Sequence, residues 1–139
     1  MASVQAYAQW VTVHLINSMS SETLSIQNAS LSWGKWYKDG DKDAEITSED
    51  VQQKTAPPGG SVNVNSCGRS DASSGTTGGF DLYDGNTKIG RVHWDCPWGS
   101  KTNDFDVGER NKNYWVEIGT WNKYGGAIGT VDVEVGRKR

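Results

Sequence analysis

Three observations predict an all-β, single-domain β-sandwich. Apolar and polar residues alternate over short stretches, the period of a half-buried strand rather than of a helix. Those stretches are bounded by clusters of glycine, proline, asparagine and aspartate, and 17 glycines beside 35% hydrophobic residues suit many strands joined by tight turns. A chain of 139 residues is the size of one domain able to bury its own core.

From the N-terminus, residues 10–16 set Val11, Val13 and Leu15 against Trp10, Thr12, His14 and Ile16, and the valine face is assigned to the core. Strands follow over residues 24–33, 61–65, 80–83, 88–95, 103–107 and 114–119. Residues 127–135 repeat the first pattern, with Val131, Val133 and Val135 inward and Thr130, Asp132 and Glu134 toward water, so this strand closes the fold. About eight strands at this spacing make a two-layer sandwich rather than a barrel. Asp84-Gly85 is the clearest hairpin turn, of a type that needs positive φ at both central residues. Residues 70–79, rich in serine, threonine and glycine, are expected to be a loop, and residues 48–53 could hold one helical turn capped by Ser48.

Charge and composition narrow the function. A formal net charge of -3, with Arg137-Lys138-Arg139 as the only basic run, removes the attraction that a nucleic-acid partner would exploit. The longest apolar stretch, residues 11–16, is far short of the ~20 residues of a membrane-spanning helix. Residues 1–10 lack the charged and apolar regions of a signal peptide. Export would therefore be unconventional, would follow removal of a leader, or would not occur. Cys67 and Cys96 allow at most one disulfide; two free, partly buried thiols are expected, with a strand-to-strand bridge as the alternative.

No catalytic site, metal site or cofactor is expected. Asp39-Gly40-Asp41-Lys42-Asp43-Ala44-Glu45 imitates the spacing of a calcium loop, but Ala44 stands where the turn glycine belongs and Asp50 where the bidentate glutamate belongs. A hydrated acidic turn is the better reading. His14, His93, Cys67 and Cys96 form no paired zinc knuckle. There is no Gly-x-Ser-x-Gly elbow, and no helix start follows Gly68 or Gly78-Gly79 to cradle a phosphate. Asp71 and Asp95 could act as paired acids only if the fold joined them; surface aspartates are the default.

The seven tryptophans carry the functional signal. Trp94 shares a strand face with Val92 and is assigned to the core. Trp10 begins its strand opposite the valine face, Trp33 sits at a strand exit before Gly34, and Trp98 lies in the loop Cys96-Pro97-Trp98-Gly99-Ser100-Lys101. Any one of these rings could fold back to cap the core, but an indole is apolar in body and polar at its N–H, which suits a bilayer interface. An aromatic face also receives a choline or ethanolamine cation, while Lys101 or Arg69 could hold the phosphate. A lectin-like sandwich, in which the tryptophans stack on sugars, is the rival reading.

Tyr7-Ala8-Gln9-Trp10, Ser32-Trp33-Gly34-Lys35, the acidic stretch 39–45, Cys67-Gly68-Arg69-Ser70-Asp71-Ala72 and Trp94-Asp95-Cys96-Pro97-Trp98-Gly99-Ser100-Lys101-Thr102-Asn103 together resemble the aegerolysin family in order and spacing. The resemblance implies an actinoporin-like sandwich that binds membranes containing sphingolipid, such as sphingomyelin with cholesterol or ceramide phosphoethanolamine, by recognising sphingolipid- or phosphocholine-type head groups. It also implies haemolysis or cytolysis at target-cell membranes, in several members with a larger pore-forming partner of the MACPF class. By position it implies lipid contact for Trp10, Trp33, Trp98 and Lys101. A glutamate that tunes recognition of cholesterol-associated sphingomyelin in the family falls at Ser74, so the resemblance leaves that selectivity open.

Overall fold

The computed structural model describes residues 7–99 and 101–138. Two sheets face each other. One is ordered β10 (Tyr114–Ile118), β11 (Gly129–Arg137), β1 (Trp10–Asn17), β6 (Ser61–Cys67), β3 (Lys35–Lys38), β4 (Asp41–Ile46); the other β5 (Thr55–Ala56), β2 (Leu24–Trp33), β7 (Thr76–Asp84), β8 (Thr87–Cys96), β9 (Asp104–Gly108). The first and last strands lie side by side in parallel, with Val13 opposite Val131, and their valine faces are wholly buried. The closing role expected of residues 127–135 therefore holds.

The core forms where the inward faces meet. Trp94 is fully buried, with its ring edge-on to Trp36 at 5.8 Å and to Phe80 at 6.0 Å, geometry that matches the positive edge of one ring to the negative face of another. A chain of hydroxyls crosses between the sheets beside it. Trp94 Nε1 donates to Thr76 Oγ1 at 3.1 Å, Thr76 and Ser66 hydroxyls lie 2.6 Å apart, and Ser66 Oγ donates to the Lys35 carbonyl at 2.8 Å. Every buried donor in this line has an acceptor, which is what burial of polar groups demands.

The structure departs from expectation in five places. The stretch 39–45 is mostly strand: β3 and β4 form a hairpin that turns at Asp39-Gly40, with Tyr37 opposite Glu45. Its alternating charges face solvent on an edge strand, so it carried no apolar period to detect. Strand β7 begins at Thr76, inside the predicted loop, because Gly78 and Gly79 allow β2 and β8 to approach too closely for any side chain. The hairpin turn is Gly85-Asn86, one residue later than predicted, with positive φ at Gly85 alone. The helix α1 (Ser48–Gln52) is capped by Thr47 rather than Ser48, in a capping box with Asp50. Unpredicted β3, β4 and β5 bring the strand number among the described residues to eleven.

Candidate functional site

The registers place five chain crossings at one end of the sandwich. Cys67 lies opposite both Trp10 and Lys35, Thr76 opposite Cys96, Thr77 opposite Trp33, and Val11 opposite Gly129. The start of β1, the β2–β3 crossing, and the β6–β7, β8–β9 and β10–β11 loops therefore converge there. Gly34 makes the crossing between sheets possible: its φ is +94°, and a Cβ would lie 2.6 Å from the Cys67 carbonyl oxygen.

Between these loops lies an open cleft of about 500 Å³ bounded by Trp33 and Trp98, with Ser32, Ser73, Ser74, Gly75, Thr77, Asp95 and Pro97 completing its wall. Trp33 is 62% exposed and Trp98 half-buried. Gly75 packs so tightly on the Cys96 carbonyl that no side chain fits. Thr77 Oγ1 donates to Asp95 Oδ1 at 2.7 Å, which fixes the carboxylate in the cleft wall. The chemistry on offer is two indole faces, one carboxylate and several hydroxyls, and none of the lining residues is basic. Such a site favours a cation next to groups that can hydrogen-bond to oxygen.

The residues singled out from sequence do not all gather here. Trp33, Trp98 and Ser74 line the cleft. Trp10 lines a separate groove of about 640 Å³ on the outer face of its sheet, with Tyr37, Asp39, Asp43, Asn63 and Asn65, and the Lys42 ammonium sits 5.1 Å from its ring centroid. Arg69 donates to both Glu45 carboxylate oxygens through its two terminal nitrogens, Nη1 at 3.0 Å and Nη2 at 2.9 Å, and this pairing holds the Glu45 carboxyl below its ordinary range. Lys101 is exposed beside Thr102, Tyr124 and Gly125. Sequence pattern carries no signal for Ser32, Ser73 and Thr77 and leaves Asp95 a surface aspartate by default; its cross-strand partner Thr77 gives it a fixed place.

Elsewhere, His14 Nδ1 lies 2.7 Å from Asn63 Oδ1 and His93 Nδ1 lies 3.9 Å from Asp106, both on outer sheet faces. Among the described residues no three histidine, cysteine or acidic side chains converge as a metal-ligand set. Cys67 and Cys96 are buried free thiols, and burial pushes each up to about 11.

The aegerolysin family model matches residues 8–138, nearly the whole chain. The chain belongs to the aegerolysin family. This aegerolysin is 43% identical over 136 residues to Ostreolysin A6 of Pleurotus ostreatus, covering 96% of this chain and 98% of that one. It is 44% identical over 137 residues to Aegerolysin Aa-Pri1 of Cyclocybe aegerita, covering 96% and 94%. The solved structure of RahU protein in complex with a TRIS molecule superposes with a TM-score of 0.92 at 42% identity, covering 96% of this chain and 98% of that one. These likenesses carry the β-sandwich across the family.

Proposed function

We propose that this aegerolysin is the lipid-recognising component of a membrane lysin and that the Trp33–Trp98 cleft receives a sphingolipid head group. Its kinship with proteins named as lysins supports the coarse reading of a lysin-type, lipid-binding protein. The observation that carries the finer reading is the cleft itself, an exposed indole facing the loop end with a second indole and a fixed carboxylate beside it. A choline or ethanolamine cation sits against Trp33, Trp98 and Asp95, while the hydroxyls of Ser32, Ser73 and Ser74 donate to phosphate oxygens. Trp10, Lys101 and Arg69 lie outside the cleft, in separate recesses near the same end of the sandwich, and add to the hold on the bilayer from there, Arg69 only when Glu45 releases it. Action at a target-cell membrane follows from this reading.

Lysis is assigned to a larger pore-forming partner of the MACPF class. Strands β7 and β8, at 9 and 10 residues, reach the length of a barrel strand, but their outward faces carry Asp81, Arg91, His93 and Asp95 while their apolar faces are the core. Insertion by this hairpin would take the sandwich apart. No described helix is long and apolar enough to cross a membrane.

The groove beside Trp10, with its amides, carboxylates and aromatic wall, favours a lectin-like second reading. Co-sedimentation with vesicles of phosphatidylcholine, of sphingomyelin plus cholesterol, and of ceramide phosphoethanolamine plus cholesterol separates the two. Retention on sphingolipid vesicles only, with no competition by free sugars, supports the proposal; indifference to lipid together with sugar competition replaces it with the lectin.

A further inference from the structure

The loop joining β10 to β11 displays a tyrosine that the core does not use. Tyr124 is 78% exposed, and with Trp33 it is one of two large hydrophobic side chains left open to water among the described residues. Scattered exposed rings are ordinary on protein surfaces. Three features set this one apart.

The first is rigidity. Asn122 ties the loop to itself, donating through Nδ2 to the carbonyls of Gly125 at 2.7 Å and Ala127 at 2.8 Å, while its backbone N–H donates to Ile128. Asn103, buried beneath, donates through Nδ2 to the carbonyls of Asn122 at 3.0 Å and Gly126 at 3.1 Å. Gly125 N–H donates to the Lys101 carbonyl and Asn103 N–H to the Lys123 carbonyl, both at 2.9 Å. The Tyr124 backbone is thus fixed before any partner arrives, and little ordering entropy remains to oppose binding.

The second is charge. Segments 97–103 and 119–128 contain Lys101 and Lys123 and no aspartate or glutamate, in a chain whose formal net charge is -3. Lys101 lies beside Tyr124 in a shallow recess with Thr102 and Gly125, and the Lys123 ammonium stands 5.4 Å from the Trp121 ring centroid. An aromatic ring beside ammonium groups matches the phosphate and glycerol level of a phospholipid surface.

The third is place. The β10–β11 loop occupies the same end of the sandwich as the cleft, hydrogen-bonded to the loop that carries Trp98 and Lys101. We propose that Tyr124, with Lys101 and Lys123, is a second membrane contact, independent of the sphingolipid head group, that prolongs residence on the bilayer. The inference rests on the reading that this end docks on lipid. The cleft selects the head group, whereas the Tyr124 patch grips the interface around it and draws on anionic lipid for part of its hold.

Dissociation from vesicles after rapid dilution tests this, on sphingomyelin-cholesterol vesicles and on phosphatidylcholine-phosphatidylserine vesicles that contain no sphingolipid. Tyr124→Ala should leave sphingomyelin-cholesterol vesicles about tenfold faster than wild type, with Tyr124→Phe close to wild type and thermal unfolding unchanged. Wild type should bind the serine-lipid vesicles weakly and in a salt-sensitive way, and Lys101→Gln/Lys123→Gln should abolish that binding. Wild-type dissociation by Tyr124→Ala from sphingolipid vesicles overturns the proposal while leaving the cleft reading intact. Tyr124-dependent binding to serine-lipid vesicles without any sphingolipid preference upholds it and overturns the cleft reading instead. Binding of wild type to neither vesicle overturns both.

Discussion

Thr76→Val removes one hydroxyl from the interior while keeping the shape of the side chain. Thr76 is fully buried, and its Oγ1 accepts from Trp94 Nε1 at 3.1 Å while lying 2.6 Å from Ser66 Oγ. Because Ser66 donates to the Lys35 carbonyl, the proton between the two hydroxyls comes from Thr76, and the chain runs Trp94 to Thr76 to Ser66 to Lys35. Valine leaves Ser66 its own acceptor but strands the Trp94 N–H, on a ring with no exposure and wedged between Trp36 and Phe80. An unpaired buried donor of this kind costs about 2 kcal/mol. For a domain of this size that corresponds to a fall in Tm of about 6–10 °C. Differential scanning calorimetry of wild type, Thr76→Val and Thr76→Ser measures it; the serine variant keeps the hydroxyl and should lose less than valine. A Thr76→Val protein melting within 2 °C of wild type, about a quarter of the expected shift, would refute the assignment of the Trp94 proton to Thr76.

Further outcomes follow from the same structure. Burial alone would push the Asp81 carboxyl up, but the Asn28 amide, Arg91 at 3.0 Å and Lys88 at 3.5 Å hold it below its ordinary range. Its stabilising contribution is therefore present above the unfolded value near 4 and is lost as pH falls through the lower folded value; Asp81→Asn should lower stability at neutral pH by about 2–3 kcal/mol and flatten the acid limb of a urea-unfolding series. The Cys67 and Cys96 thiols, pushed up to about 11, ionise in the unfolded chain first, so stability is fully present below pH 9 and drains away between pH 9 and 11. Cys67→Ala/Cys96→Ala should show a shallower fall over that window in denaturant titrations, and neither native thiol should react with iodoacetamide at pH 8 on the timescale of minutes. Trp33→Ala and Trp98→Ala should each weaken retention on sphingolipid vesicles about tenfold, Trp33→Ala with no change in Tm; equal retention by a folded variant removes that ring from the site. Asp95→Asn should weaken retention on choline and ethanolamine head groups about fivefold while leaving the Tyr124-dependent component untouched, as read by the dissociation rate.

Much of the architecture was legible because it rests on period-two alternation that one buried face imposes. Residues 10–16 and 127–135 announced themselves by their valines, and the structure pairs them in register at the centre of one sheet. The Lys35–Lys38 and Asp41–Ile46 hairpin escaped because an edge strand with a charged outer row has no apolar rhythm, and its two deeply buried rings, Trp36 and Tyr37, are adjacent in sequence and so show no period-two alternation. The glycines that suggested a loop at 78–79 instead let three backbones pack closely, a use of glycine that looks the same in sequence as a turn. At the site, the position of Trp33 at a strand exit correctly signalled exposure. That Arg69 is held by Glu45, 24 residues away, and that Trp10 faces a different groove from Trp98, depend on sheet order that no local pattern encodes.

Quenching of tryptophan emission by lipids brominated along the acyl chain tests the central claim most directly, because buried Trp94 and Trp36 stay out of reach while the rings of the loop end do not. On sphingomyelin-cholesterol vesicles doped with such lipids, wild type should show blue-shifted, strongly quenched emission, and a Trp33→Phe/Trp98→Phe variant that still binds should show clearly less of both effects. Equal quenching of wild type and the double variant would contradict the account by placing a different face of the sandwich on the membrane.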